Sequence, residues 1–158
     1  MTSSSSWRLD LLGPPRLHRP DGQEVSLHAE RNLLAVLSYV ALEGPSTRSR
    51  LAGLLWPETL EGAARNNLVH LLRRAARMFG DGLLLASDLV RLDGTVRVDV
   101  RDVLEGELAD EGMAPLLAGV DFDGRPELSD WLLAWRERLG ALGVDALTRR
   151  AAAHEDAG

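Results

Sequence analysis

The sequence predicts an α+β fold in which strands, three helices and more strands are followed by further helices. Three observations carry this. Residues 7–28 and 83–98 read as short apolar runs punctuated by Pro-Asp-Gly, Ser-Asp and Asp-Gly. Residues 31–79 carry helical periodicity, broken at Gly44-Pro45 and again at Trp56-Pro57. From Asp99 onward helix-forming stretches dominate. At 158 residues the chain holds one ordinary domain, or a small one and part of another.

The elements follow in order. "WRLDLLG" alternates apolar and polar residues, the pattern of a half-buried strand. "PPRLHRPDGQEVSLH" sets Pro-Asp-Gly between two short runs and predicts a hairpin. In "ERNLLAVLSYVALEGP", Leu33, Leu34, Leu37, Val40 and Ala41 recur at helical spacing, and Gly44-Pro45 ends the helix with a left-handed cap. Thr47 is the expected N-cap of a short helix through Leu54 and Leu55, closed by Trp56 before proline. Thr59 or Glu58 is expected to cap the next helix, which Gly80-Asp81-Gly82 terminates. "LLLAS", "LVRLD" and "TVRVDV" read as strands, with the favoured hairpin tip at Ser87-Asp88 and the alternative at Asp93-Gly94. Beyond them, "DVRDVLEGELADEG", "MAPLLAG" and "SDWLLAWRERLGALGVDALTRRAAAHE" read as helices, the last capped by Ser129 with Asp130 in its first turn. The loop "VDFDGRPE" separates the last two.

The charge is uneven. The chain carries a formal −6, yet residues 1–98 hold 12 arginines and 10 acids while residues 99–158 hold 6 and 14. Every basic side chain is arginine. The positive charge concentrates on residues 63–79, which contain four arginines and no acid. At about 100° per residue, Leu68, Leu71, Leu72, Ala75, Met78 and Phe79 fall on one face of this helix. Asn66, Asn67, His70, Arg73, Arg74 and Arg77 fall on the other, with Arg65, Val69 and Ala76 near the border. Ordinary solvated faces usually mix signs; this one does not. Arginine grips guanine O6 and N7, asparagine grips adenine N6 and N7, and both hold phosphates. The helix alone leaves a solvated face and a DNA-reading face both open.

The order short helix, turn, basic helix and β-hairpin is the layout of a winged helix-turn-helix, which places its second helix in the major groove and its wing on the flanking backbone. Arg91 and Arg97 on the wing strands, and Arg48 and Arg50 at the start of the preceding helix, are then positioned for phosphates.

The ordered set "LDLLGPPRLHRPDGQEVSL", "LLAVLSYVALEG", "RSRLAGLLWPETLEGAARNNLVHLLRRA", "VRLDGTVRVDV" and "PELSDWLLAWRERLGAL" resembles the N-terminal part of the SARP/BTAD bacterial transcriptional activators, over residues 7–150. "LAGLLWPE" leading into "ARNNL", and "PELSDWLLAWRERL", are its most specific pieces. The resemblance implies an OmpR-type winged helix over residues 7–98, with an N-terminal antiparallel sheet, three helices and a C-terminal hairpin. It implies over residues 99–158 the start of the helical bacterial transcriptional activation domain, built of TPR-like helix pairs. Members bind direct repeats in promoter DNA head to tail and contact RNA polymerase, so double-stranded DNA, RNA polymerase and a homodimer on DNA are the implied partners. By position, Arg65, Asn66, Asn67, His70, Arg73 and Arg74 match the family's recognition helix. The chain departs from the pattern at Val69 and Ala76, where members often carry a polar residue, and at Ala75, where they carry a larger apolar one. Members usually continue through more helices beyond the position of Gly158.

The expected assignment is therefore a cytoplasmic bacterial transcription regulator. Asn66, Asn67, His70, Arg73 and Arg74 are candidates for base edges, and Thr47, Arg48, Arg65, Arg77 and Arg91 for the DNA backbone. Arg65, near the apolar border, is alternatively a partner for a carboxylate inside the domain. The rival is a protein-interaction module whose arginine face binds an acidic partner or is masked by the chain's own acidic half. Trp131 and Trp135 are expected to pack on the winged helix rather than serve dimerisation. No enzyme is expected, because no phosphate-cradling glycine loop, nucleophile elbow or metal-ligand cluster is present. No metal or cofactor is expected; cysteine is absent and "DFDG" lacks the ligand spacing of a calcium loop. "MTSSSSW" is no signal peptide, and no apolar run approaches the ~20 residues of a membrane span.

Overall fold

A computed structural model of the chain describes residues 6–105 and 114–156, without the side chains of 144–148 and 150. The architecture is mixed α+β, with two sheets and five helices among the described residues.

The N-terminal strands form as the alternation predicts. In β1 (Arg8–Asp10) and its flanks, Trp7, Leu9 and Leu11 point inward while Arg8 stays exposed. β1 pairs antiparallel with β2 (Arg16–His18), and β2 with β3 (Glu24–Val25). The β2–β3 turn is the Pro-Asp-Gly turn. Gly22 takes φ +92°, which glycine adopts without a Cβ clash, and the Asp21 carboxylate accepts the Gln23 N–H at 2.8 Å.

The helix α1 (Arg31–Glu43) is more buried than its stripe predicted. Nine consecutive residues, Leu33 to Ala41, are buried. α1 touches α2, α3 and β6 and meets the last helix as well, so it has no wet side over those residues. Ser38 is tolerated there because its hydroxyl donates to the Leu34 carbonyl at 2.6 Å. Gly44 ends α1 with φ +84° but an extended ψ of −165°, not the expected left-handed cap.

After β4 (Ser46–Thr47), α2 (Arg48–Leu55) starts where expected: the Thr47 hydroxyl accepts the Arg50 N–H at 3.1 Å. Trp56 closes it. α3 (Glu61–Phe79) departs from expectation at its start. Its N-cap position is Leu60, which offers no side-chain acceptor. Thr59 instead donates its N–H to the Trp56 carbonyl at 3.2 Å, so it finishes the preceding turn, and Glu58 gives no cap either. Gly80 ends α3 at φ +71°.

The next strands divide between the sheets. β5 (Leu84–Ala86) and β6 (Leu89–Leu92) form the hairpin with its tip at Ser87-Asp88, and β4 adds to β6, giving the order β4-β6-β5. Asp93-Gly94 is a second turn, in which Thr95 donates its N–H and hydroxyl to Asp93 at 2.9 and 2.7 Å. Those two bonds hold the Asp93 carboxyl below its ordinary pKa. This turn sends β7 (Arg97–Val98) to the other sheet, beside β1, in the order β3-β2-β1-β7. β7 pairs parallel to β1, so the N-terminal sheet is antiparallel except at this edge.

The back half begins with α4 (Asp99–Leu104). Of the helix expected over 99–112, residues 106–112 lie outside the described ones, as does Met113 of the next stretch. "MAPLLAG" is not a helix over its described part. Pro115 lacks an N–H and biases its predecessor away from the α region. Residues 115–118 lie along 11–13 instead, with Gly13 N–H on the Pro115 carbonyl and Leu117 N–H on the Leu11 carbonyl, both at 2.8 Å. α5 (Pro126–Asp156) runs 31 residues and starts earlier than expected. Pro126 suits a first helical turn, where no N–H is needed. Ser129 is therefore inside the helix, not its cap, and its hydroxyl donates to the Phe122 carbonyl at 2.9 Å. Leu116, Phe122, Leu128, Leu132, Trp135 and Leu139 join the same apolar core as α1.

Candidate nucleic-acid interface

The site is α3 and what holds it. Leu68, Leu71, Leu72, Ala75 and Phe79 are buried at helical spacing, as the apolar stripe predicted, Met78 is half-buried, and Ala64 extends the stripe by one turn. At the C-terminal end, the Phe79 ring meets Trp7 edge-on, with centroids 5.4 Å apart. Arg19 lies over Trp7 and donates to the Met78 carbonyl at 3.2 Å, a cation where the helix dipole favours one. The helix is thus pinned along one face and at one end.

The opposite face is presented whole. Arg65, Asn66, Asn67, His70, Arg73, Arg74 and Arg77 are all exposed. From Asn66 to Arg77 they cover about 16 Å of helix. Arg65, Asn66, Asn67, His70, Arg73 and Arg77 have no side-chain hydrogen bond or ion pair within the chain among the described residues. Arg65 therefore does not take the internal carboxylate that its border position left open. Arg74 differs. It pairs with Glu30, whose side chain is 12% exposed, and so ties the middle of α3 to the start of α1. No spacing in the sequence indicates that pair, because its members are 44 residues apart.

The flanking residues fall into three groups. Thr47 is occupied as the α2 cap. Arg48 turns toward the hairpin and donates to the Ser87 carbonyl at 2.9 Å and the Ala86 carbonyl at 3.4 Å. Arg50, which the sequence placed beside it for phosphates, bonds the Tyr39 hydroxyl at 3.3 Å and pairs with Glu127. Those partners raise its pKa, Tyr39 first and Glu127 second. Arg91 is exposed on β6, with no hydrogen bond or ion pair among the described residues. Arg97 is not on the hairpin. It lies in β7, opposite Arg8 in the other sheet.

The acidic half meets α1 and α2. Asp121 faces Arg31 at 3.6 Å and Glu127 pairs with Arg50. Arg125 donates to the Leu55 carbonyl at 3.0 Å and to Asn32, and burial first, then Arg31, lowers its pKa. The Trp131 and Trp135 indoles both donate to Glu43 Oε1, at 2.9 and 2.8 Å. The two tryptophans therefore pack on the first half, as expected, through a carboxylate that the sequence reading did not single out. Arg136 binds the Leu116, Leu117 and Val120 carbonyls at 2.8–3.0 Å. No described acid of residues 99–156 pairs with an α3 arginine.

Asp99 joins the halves at the strand edge. It accepts N–H groups from Leu11, Leu12 and Val100 at 2.8–3.0 Å. Burial raises its pKa above the ordinary carboxylate value, and the three N–H bonds offset only part of that. Among the described residues no group of three His, Asp or Glu side chains could hold a metal ion, and no helix is long and apolar enough to cross a membrane. No family model matches the chain, and no curated protein matches it.

Proposed function

We propose that the chain is a sequence-specific DNA-binding transcription regulator of the bacterial cytoplasm, with residues 63–79 of α3 lying in the major groove. One observation carries the reading: α3 is fixed by its apolar face and presents a continuous acid-free face whose polar side chains, Arg74 excepted, have no partner among the described residues. An α-helix fits the ~12 Å major groove. The order α2, turn, α3 and hairpin β5–β6, with β4 completing the small sheet, supports a winged helix-turn-helix over residues 7–98. The helices from residue 99 are then the start of a TPR-like activation segment.

In this reading Asn66, Asn67, His70 and Arg73 face base edges, with asparagine suited to adenine and arginine to guanine. Arg65, Arg77 and Arg91 face phosphates. Arg74 contributes through the flank of its exposed guanidinium while Glu30 holds it. Promoter direct repeats, a second copy of the chain and RNA polymerase are the partners this assignment calls for.

Fluorescence anisotropy tests it, with a duplex from the chain's own promoter region and a scrambled duplex at several salt concentrations. The expected result is tighter binding to the promoter and a log–log salt slope of about −0.9 per phosphate neutralised. Binding to neither duplex at low salt would remove the DNA reading. An acidic protein partner, or masking by the chain's own acids, would take its place.

A further inference from the structure

Within the β5–β6 hairpin the tip is held by Ser87, whose N–H and hydroxyl both donate to the Leu89 carbonyl, at 3.1 and 3.5 Å. β5 is three residues long and lies at the sheet edge, paired only with β6, and the loop is only Ser87 and Asp88. Two strands alone make a marginally stable unit, and β4 adds only two residues beside β6. The tip is also tied down from outside the hairpin, by Arg48, the first residue of α2. Its Nε donates to the Ser87 carbonyl at 2.9 Å and its Nη2 reaches the Ala86 carbonyl at 3.4 Å. A guanidinium is a rigid fork, and two successive carbonyls suit it. Thr47, one residue earlier, pairs with Leu89 across β4–β6 and caps α2. Residues 47–48 and 86–89 thus form one joint between α2 and the hairpin.

We propose that Arg48 is a positioning residue that holds the hairpin tip on α2 and so sets where Arg91 stands relative to α3. It does not grip phosphate itself. Arg48 stood in the sequence as a phosphate candidate because of its place in the first turn of α2. The structure turns its donors toward the protein's own backbone. The DNA part of this assignment rests on the proposed function, while the tethering part stands on the free protein.

Two measurements test it, on the full chain. Arg48→Lys keeps the charge but replaces the fork by a single ammonium. In the free protein, amide hydrogen exchange at Ser87, whose N–H donates to the Leu89 carbonyl at 3.1 Å, should be about tenfold faster in this variant. Exchange at Asp93, at the base of the hairpin, and along α3 should be unchanged. With promoter DNA, the salt slope should fall by about 0.9 in Arg91→Ala, by about 0.9 in Arg48→Lys, and by no more than that in Arg48→Lys/Arg91→Ala, since all three lose the same single phosphate contact. A preserved slope in Arg48→Lys, or a loss of about 1.8 in Arg48→Ala/Arg91→Ala, would show Arg48 on a phosphate of its own and overturn the proposal. Unchanged exchange at Ser87 would also overturn it. If the wild type binds no duplex, the DNA reading falls, and exchange at Ser87 alone decides whether Arg48 holds the tip.

Discussion

Two surfaces of this molecule use arginine, and they differ in their supply of carboxylate. On α1, α2 and the loop that covers them, Arg31 has Asp121, Arg50 has Glu127, and Arg125 is spent on Asn32 and the Leu55 carbonyl. On α3, Arg65, Arg73 and Arg77 have no such partner among the described residues. The first surface is where the acidic half of the chain docks. The second has no carboxylate partner for these arginines among the described residues, and the proposed function gives it one outside the chain. Net charge hides this contrast, because −6 is the sum of +2 over residues 1–98 (12 arginines, 10 acids) and −8 over residues 99–158 (6 and 14). What matters to a polyanion is the local balance on the face it meets, within about a Debye length of 8–10 Å.

Trp135→Ala should break the docked surface most strongly. The indole is 7% exposed and bonded to Glu43, so its loss removes core volume and leaves a carboxylate short of a donor. A stability loss of about 3–5 kcal/mol is expected in denaturant unfolding. Asp99→Ala comes next, at about 1–3 kcal/mol, because the Leu11 and Leu12 N–H groups lose their acceptor. The pH dependence has a definite sign. With the folded pKa raised above the unfolded one, the Asp99 contribution is complete below the ordinary carboxylate value of 3.8 and is lost as pH rises through the folded value. The stability gap between wild type and Asp99→Asn should therefore be larger at pH 4 than at pH 7.

Arg73→Ala sharpens the contrast from the other side. Stability should stay within about 0.5 kcal/mol, as for an exposed side chain without partners, while promoter affinity falls by about 1–3 kcal/mol. Arg50→Ala is the smallest. Its pair with Glu127 is roughly half exposed on both sides, so unfolding should shift by no more than about 1 kcal/mol, and less at high salt. DNA affinity should not change with it. An Arg50 effect on DNA as large as that of Arg73 would erase the distinction between the two surfaces.

The local features were legible in the sequence. The α3 stripe, the Thr47 cap, the Pro-Asp-Gly turn and the Ser87-Asp88 tip each depend on residues within a few positions of one another. What was not legible depends on contacts distant in sequence. β7 is two residues long and pairs with β1 some 89 positions away, so Arg97 left the hairpin. Residues 115–118 became a partner for 11–13 rather than a helix. On the candidate site, the exposed face of α3 was readable from periodicity alone. The Arg74–Glu30 pair and the Arg48 bonds to the hairpin were not, because arginine reaches far and its partner is chosen by the fold. The presence of proline in "MAPLLAG" was the one warning available for that stretch.

In the proposed function, the exposed face of α3 reads sequence. The most direct measurement is the ratio of promoter to scrambled-duplex affinity, at one fixed salt concentration, for wild type, Asn67→Ala and Arg73→Ala. Wild type should prefer the promoter, and each variant should lose most of that preference while keeping most of its affinity for the scramble. Equal losses on both duplexes would mean that the face contacts only phosphates, and a ratio of one in the wild type would contradict sequence reading by α3 altogether.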